Sequence, residues 1–185
     1  MPATKSFCAN EVILPVRDNR RLFWIIALVA VVLDQAIKAW ARHVFHDNLS
    51  ALSGGPFPRY FEFTLTYNEG IAFGMFQGHG VFLAPVAILM SGGAVWYSVR
   101  HPRDPALAHV AMGLLAAGAL GNLYDRLAYG KVTDMFYVRA INFPVFNVAD
   151  SCITIAAILL IYLWSVEAMV KPKPSPPAPP AAEQA

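Results

Sequence analysis

From Val148 to Val170 the chain carries two charged residues, Asp150 near the start and Glu167 near the end, and the residues between them are apolar or small and uncharged. A bilayer core demands such a run, about 20 apolar residues wound as a helix. Leu22–Ala41, Val81–Val99 and Pro105–Tyr124 have the same character. Four transmembrane helices are therefore expected. Composition agrees: 57% of residues are apolar and 14% charged, against about 45–50% and about 25% in soluble domains. A formal charge of +2 with no basic stripe argues against a nucleic-acid partner.

The first run follows a basic segment, as the core of a cleaved leader would. However, Leu22–Leu33 leads into Asp34-Gln35-Ala36-Ile37-Lys38, without a small-residue cleavage site. A retained helix fits better. The expected organisation is a cytoplasmic segment over 1–21, one membrane domain over 22–170, and a disordered Pro/Ala-rich cytoplasmic tail over 171–185. Lys5, Arg17, Arg20, Arg21, Arg100, Arg103, Lys171 and Lys173 fall on one side of four spans. Arg42, Arg59, Arg126, Lys131 and Arg139 fall on the other. The positive-inside rule makes the first side cytoplasmic, with both termini there.

Two loops then face away from the cytoplasm. In the first, Tyr60–Tyr67 alternates, with Phe61, Phe63, Leu65 and Tyr67 on one side and Glu62, Thr64 and Thr66 on the other. That predicts a half-buried strand, closed by a turn at Asn68-Glu69-Gly70. Ile71–Phe76 is apolar but broken by glycine, consistent with a short element in the membrane interface. The fold class is thus an all-α membrane protein with a small extracytoplasmic β-sheet built from the loops. Gly92-Gly93, and the small residues from Ala111 to Gly121, are expected where helices approach closely.

The stretch Gly121–Asp150, from the close of the third span through the second loop to the start of the fourth span, concentrates the polar chemistry. It holds Asp125, Asp134 and Asp150, with Asn122, Arg126 and Asn147. A carboxylate at a bilayer boundary is costly to keep ionised. Two brought together there suit sharing a proton and activating a water. Taken singly, Asp150 reads as a helix N-cap and Asp134 as a loop residue. Arg126 could pair with Asp125 or hold backbone carbonyls or phosphate. Asp34 and Lys38 share a helical face, either as a structural ion pair with a snorkelling lysine or as the edge of a polar site. Cys8 and Cys152 are expected to lie apart, with no disulfide. The five histidines do not cluster, and no metal is expected.

Asp34–Trp40 (DQAIKAW), Asn68–Phe76 (NEGIAFGMF), Gly121–Asp134 (GNLYDRLAYGKVTD) and Phe146–Ser151 (FNVADS) resemble, in order, the motifs of bacterial lipoprotein signal peptidase (signal peptidase II). Ile71 and Met135 depart from that pattern by apolar exchange. The resemblance implies an aspartic endopeptidase of the bacterial inner membrane, with no cofactor and its site near the periplasmic face. It would cut prolipoproteins just before a diacylglyceryl-modified cysteine. Its catalytic pair would be Asp134 and Asp150, with Asp34, Lys38, Asn68, Gly70, Asn122, Asp125, Arg126, Asn147 and Ala149 lining or bracing the site. The partners implied are the lipidated precursor, membrane lipid and the inhibitor globomycin, acting on a monomer. Intramembrane aspartyl proteases of the Gly-x-Gly-Asp type are a poorer match, because that motif is absent. A proton-coupled carrier and a non-catalytic scaffold are the rivals from other classes.

Overall fold

The computed structural model describes residues 18–45, 59–70 and 83–170. The interfacial element expected at 71–76, Cys8, and the terminal segments before 18 and after 170 lie outside them. Helix α1 spans Arg20–Val44, α2 Ala84–Arg100, α3 Ala106–Tyr129 and α4 Val148–Val170. Strand β1 (Glu62–Asn68) pairs antiparallel with β2 (Val132–Tyr137). Helices α1, α3 and α4 are each long and apolar enough to cross a bilayer. The 17 described residues of α2 reach about 26 Å, short of the roughly 30 Å hydrocarbon thickness.

Helix α3 is central and packs against α1, α2 and α4. Its small residues make this possible. A β-carbon on Gly118 would sit 2.4 Å from the Ala149 carbonyl oxygen and 2.6 Å from Ile153 Cγ1, so α3 and α4 touch backbone to backbone. Gly118→Ala must push α4 away, and its stability loss is expected at or above the top of the roughly 1–3 kcal/mol typical of overpacking. Gly92→Ala is the control. Among the described residues Gly92 and Gly93 have nothing within 4 Å of that position, so they mediate no close packing there. Thermal unfolding in detergent should separate the two variants.

Two expected boundaries move. Helix α3 continues past Tyr124 to Tyr129, and Gly130 stops it in the left-handed conformation at φ 72°, a common helix terminator. Asp125 and Arg126, expected to close the third span, therefore lie within its helical turns. Nothing between Tyr124 and Tyr129 breaks a helix, and the charges there find buried partners. In β1 the register shifts between Phe63 and Thr66. Such an irregularity breaks strict alternation. Glu62 is consequently buried and paired with Arg139, while Tyr67 is exposed under the Lys131 ammonium.

The sheet covers one end of the bundle. Leu65 and Met135 pack on Ala41 and Phe45 at the end of α1, so Met135 fills a fully buried position. At the opposite end, the Asn19 N–H and side-chain amide donate to the carbonyls of Pro102 and Asp104. There His109 lies buried between Ser98 and the His101 carbonyl.

Candidate active site

Asp134 and Asp150 reach one place by different routes. Asp134 sits on β2 beside Thr66 of β1. After the 3₁₀ turn at Arg139–Ile141 the chain doubles back, and Phe146 forms backbone hydrogen bonds with Phe136 and Met135. That return sets Asn147 next to Asp134 and starts α4 with Asp150 in its first turn.

Asn147, not Asp150, is the cap. Its Oδ1 accepts the Asp150 N–H at 2.9 Å, and Asp150 Oδ2 accepts the Asn147 N–H at 3.2 Å. This reciprocal pair has the pattern of a capping box. It corrects the N-cap reading of Asp150, because an aspartate at the third helical position reaches back to the cap rather than being it. The Asn147 amide nitrogen donates to Asp134 Oδ1 at 2.6 Å and to Asn122 Oδ1 at 3.1 Å. Asn122 Nδ2 in turn donates to Asp150 Oδ1 at 2.8 Å. Two asparagines thus join both aspartates in one network.

Asp34, Lys38 and Asp125 brace it from behind. Lys38 is fully buried, so it does not snorkel. Its ammonium lies 2.9 Å from Asp34, 3.4 Å from Asp125 and 3.0 Å from Asn122 Oδ1. Asp34 Oδ1 accepts the Ala149 N–H of α4 at 2.9 Å. Its carboxylate fits only because Gly121 lacks a side chain; a β-carbon there would stand 2.5 Å from Asp34 Oδ2. Asp125 accepts the Thr133 N–H at 2.9 Å, fixing β2 to α3. Arg126 does not pair with Asp125; it donates to the carbonyls of Gly70 and Asn122 at 3.3 and 3.4 Å. Asn68 Oδ1 accepts the Gly70 N–H at 3.0 Å, closing the expected turn.

Two contributors went unread in the sequence. Arg42 donates to Thr133 Oγ1 at 2.9 Å and lies 3.8 Å from Asp125. Gln35 bridges the Gly121 carbonyl and Asp34. The signal for Arg42 was its four-residue step from Lys38, itself four from Asp34, which puts all three on one helical face.

Asp134 and Asp150 line a cavity of about 600 Å³ with Asn68. Phe143, Pro144, Val145 and Phe146 form one wall, and Ile153, Thr154 and Ile155 of α4 another. Ile155 in that lining is 47% exposed, so the cavity wall extends to the outer surface of α4. Burial, and next the charge of Asp150, push the Asp134 carboxyl up to about 7, against hydrogen bonds from Asn147 and Asn68 and the Lys38 charge. Such a group keeps a proton near neutral pH when its neighbour is ionised. Among the described residues, no three His, Cys, Asp or Glu side chains gather as a metal site, and Cys152 is a free, buried thiol.

Fold and site together define a helical membrane protein with a largely apolar cavity that bears two carboxylates. The family model for signal peptidase (SPase) II matches residues 26–166, and the chain belongs to that family. Lipoprotein signal peptidase of Symbiobacterium thermophilum is 40% identical over 151 residues, covering 77% of this chain and 94% of its own length. That of Alteromonas mediterranea is 37% identical over 147 residues, covering 76% and 78%. A bacterial membrane enzyme solved by the in meso method at 2.3 Å superposes with a TM-score of 0.69 at 29% identity, over 83% of this chain and 94% of that one. The protein is accordingly a membrane peptidase of the lipoprotein signal-peptide-processing family.

Proposed function

We propose that this protein is an aspartic endopeptidase that cuts prolipoproteins on the amino side of a diacylglyceryl-modified cysteine, with Asp134 and Asp150 as its catalytic pair. The carrying observation is two aspartates, from a strand and a helix, lining one cavity that reaches the outer face of α4. One carboxyl is ionised and the other protonated, sharing a single proton. The ionised one takes a proton from water as its oxygen attacks the scissile carbonyl carbon, while the protonated one donates to the carbonyl oxygen. The tetrahedral intermediate then passes a proton to the amide nitrogen. The C–N bond breaks, releasing an amine and a carboxylic acid, and the pair is again singly protonated. No cofactor takes part.

Asn68, Asn122, Arg126 and Asn147 orient the pair and the substrate backbone, with Gly70 and Ala149 supplying backbone groups. Asp34, Lys38 and Asp125 hold the helices that carry them. The reading places four spans in the bacterial inner membrane, both termini in the cytoplasm and the site near the periplasmic face. A monomer suffices, and globomycin should inhibit. Partitioning of the acyl chains into lipid brings the bond to the depth of the site.

The test is cleavage of a diacylglyceryl-modified precursor by purified protein in detergent. Mass spectrometry should give a product beginning at the lipidated cysteine. The unlipidated precursor should be cut at least about 100-fold more slowly, since much of the positioning is lost with the chains. Equal rates on the two would contradict acyl-chain positioning.

A further inference from the structure

We propose that Lys38 is a positioning residue that decides which aspartate carries the shared proton: it locks the Asn122 amide, making Asp150 the ionised base and Asp134 the proton donor. The proposal rests on the peptidase reading above. An ammonium has only donors. With Lys38 Nζ 3.0 Å from the Asn122 side chain, oxygen must face the lysine, because the flipped amide would set two donors against each other. The amide nitrogen then has one direction left, toward Asp150 Oδ1 at 2.8 Å. Lys38 cannot swing away, being wholly buried between Asp34 and Asp125.

The two aspartates are not equivalent in what surrounds them. Asp150 accepts N–H groups at both oxygens, from Asn122 and from the Asn147 backbone. A proton on either oxygen would compete with a donor. Asp150 also lies in the first turn of α4, where the helix dipole favours negative charge, and it is only half-buried. Asp134 also accepts side-chain hydrogen bonds, from Asn147 and Asn68, but it is 2% exposed and on a strand with no helix end behind it. Hydrogen bonds to the charged form favour that form, and burial disfavours it. Of the other titratable groups, Arg126 on α3 faces both aspartates and Cys152 on α4 faces Asp150, while Asp34 on α1 and Asp125 on α3 lie against Lys38. Arg126 faces the charges of both aspartates, so it does not choose between them. Lys38 is the charged group that reaches Asp150 through the Asn122 amide, whose oxygen also accepts from Asn147 Nδ2 at 3.1 Å.

The experiment is the pH dependence of kcat and KM on a lipidated precursor, using full-length protein in detergent. Lys38→Met should lower kcat about 10- to 100-fold, with KM within about twofold, as loss of one hydrogen bond to a charged group predicts. The acid limb should move up, because the carboxyl pair then lacks an N–H donor that favours its charged form. Asn122→Leu should do the same while keeping the Lys38 pairs with Asp34 and Asp125, so it carries the test if Lys38→Met fails to fold. An acid limb that stays in place in a folded, active variant would overturn the proposal, since a merely structural lysine scales the rate without moving the profile. An infrared readout does not need turnover: at pH 5 a carboxylic-acid C=O band should be lost in Asp134→Asn. That band surviving in Asp134→Asn but vanishing in Asp150→Asn would overturn the assignment. If the wild-type protein cleaves normally and only these signatures fail, the peptidase reading stands without this one. Absence of wild-type cleavage overturns both.

Discussion

Asp134→Asn and Asp150→Asn each lower kcat/KM on a lipidated precursor by about 10²–10⁴-fold, the range for losing a positioned acid or base, while both proteins still accumulate in the membrane. Asparagine keeps the shape of each side chain; at position 134 its oxygen still accepts the Asn147 N–H, and at position 150 it keeps one of the two N–H contacts and loses the other. What disappears is the capacity to gain and lose a proton. The two variants should differ in stability. The Asp134 carboxyl rises from 3.8 to about 7 on folding, so its protonated form is the one the fold favours. Its stabilising contribution is full below the ordinary value near 3.8 and is lost as pH rises through about 7, a swing of roughly 4 kcal/mol. Wild-type protein should therefore lose stability between about pH 4 and pH 8. Asp134→Asn should be flatter across that window and the more stable protein at its upper end. Thermal unfolding against pH in detergent, beside a cleavage assay, checks both halves. A variant that is inactive because it is unfolded would fail the second.

The largest stability effect is expected at Asp34, which touches no cavity wall. Its carboxylate is 1% exposed, pairs with Lys38 at 2.9 Å and caps the Ala149 N–H of α4. Asp34→Ala strips the buried ammonium of its nearest counter-charge and leaves a backbone donor without a partner. Breaking a buried pair from one side costs about 3–5 kcal/mol. Asp34→Asn still offers an acceptor to Ala149 and should lose less. Equilibrium or thermal unfolding of the purified variants measures the gap. A loss below about 1 kcal/mol for Asp34→Ala would mean that the cluster is not the clamp between α1, α3 and α4.

The sequence showed the spans plainly because a bilayer tolerates few charges, and Leu22–Ala41, Pro105–Tyr124 and Val148–Val170 have few. It showed less of where helices end. Asp125 and Arg126 looked like the close of the span, yet α3 continues past them because Lys38 and Arg42 meet Asp125 and because the Gly70 and Asn122 carbonyls meet Arg126. Those partners come from other elements and leave no local mark. The aspartates and asparagines were legible as residue types at helix ends. The division of labour between Asn147 as cap and Asp150 as its reciprocal acceptor was not, since either residue type serves at a helix start. Gly121 shows the same limit. As one small residue among many on α3 it read as packing space, whereas its particular role is to admit the Asp34 carboxylate. The strand at Glu62–Asn68 was visible from alternation, but its register shift depends on β2 and could not be seen in β1 alone.

A double-mutant cycle on Asp134 and Asp150 tests most directly whether they act as one unit. The measurement is kcat/KM for Asp134→Asn, Asp150→Asn and the double variant on the same lipidated precursor. If one proton is shared, either substitution already removes the unit, and the double variant should be no slower than the worse single one. Losses that multiply in the double variant would show two independent groups, and would contradict a catalytic pair.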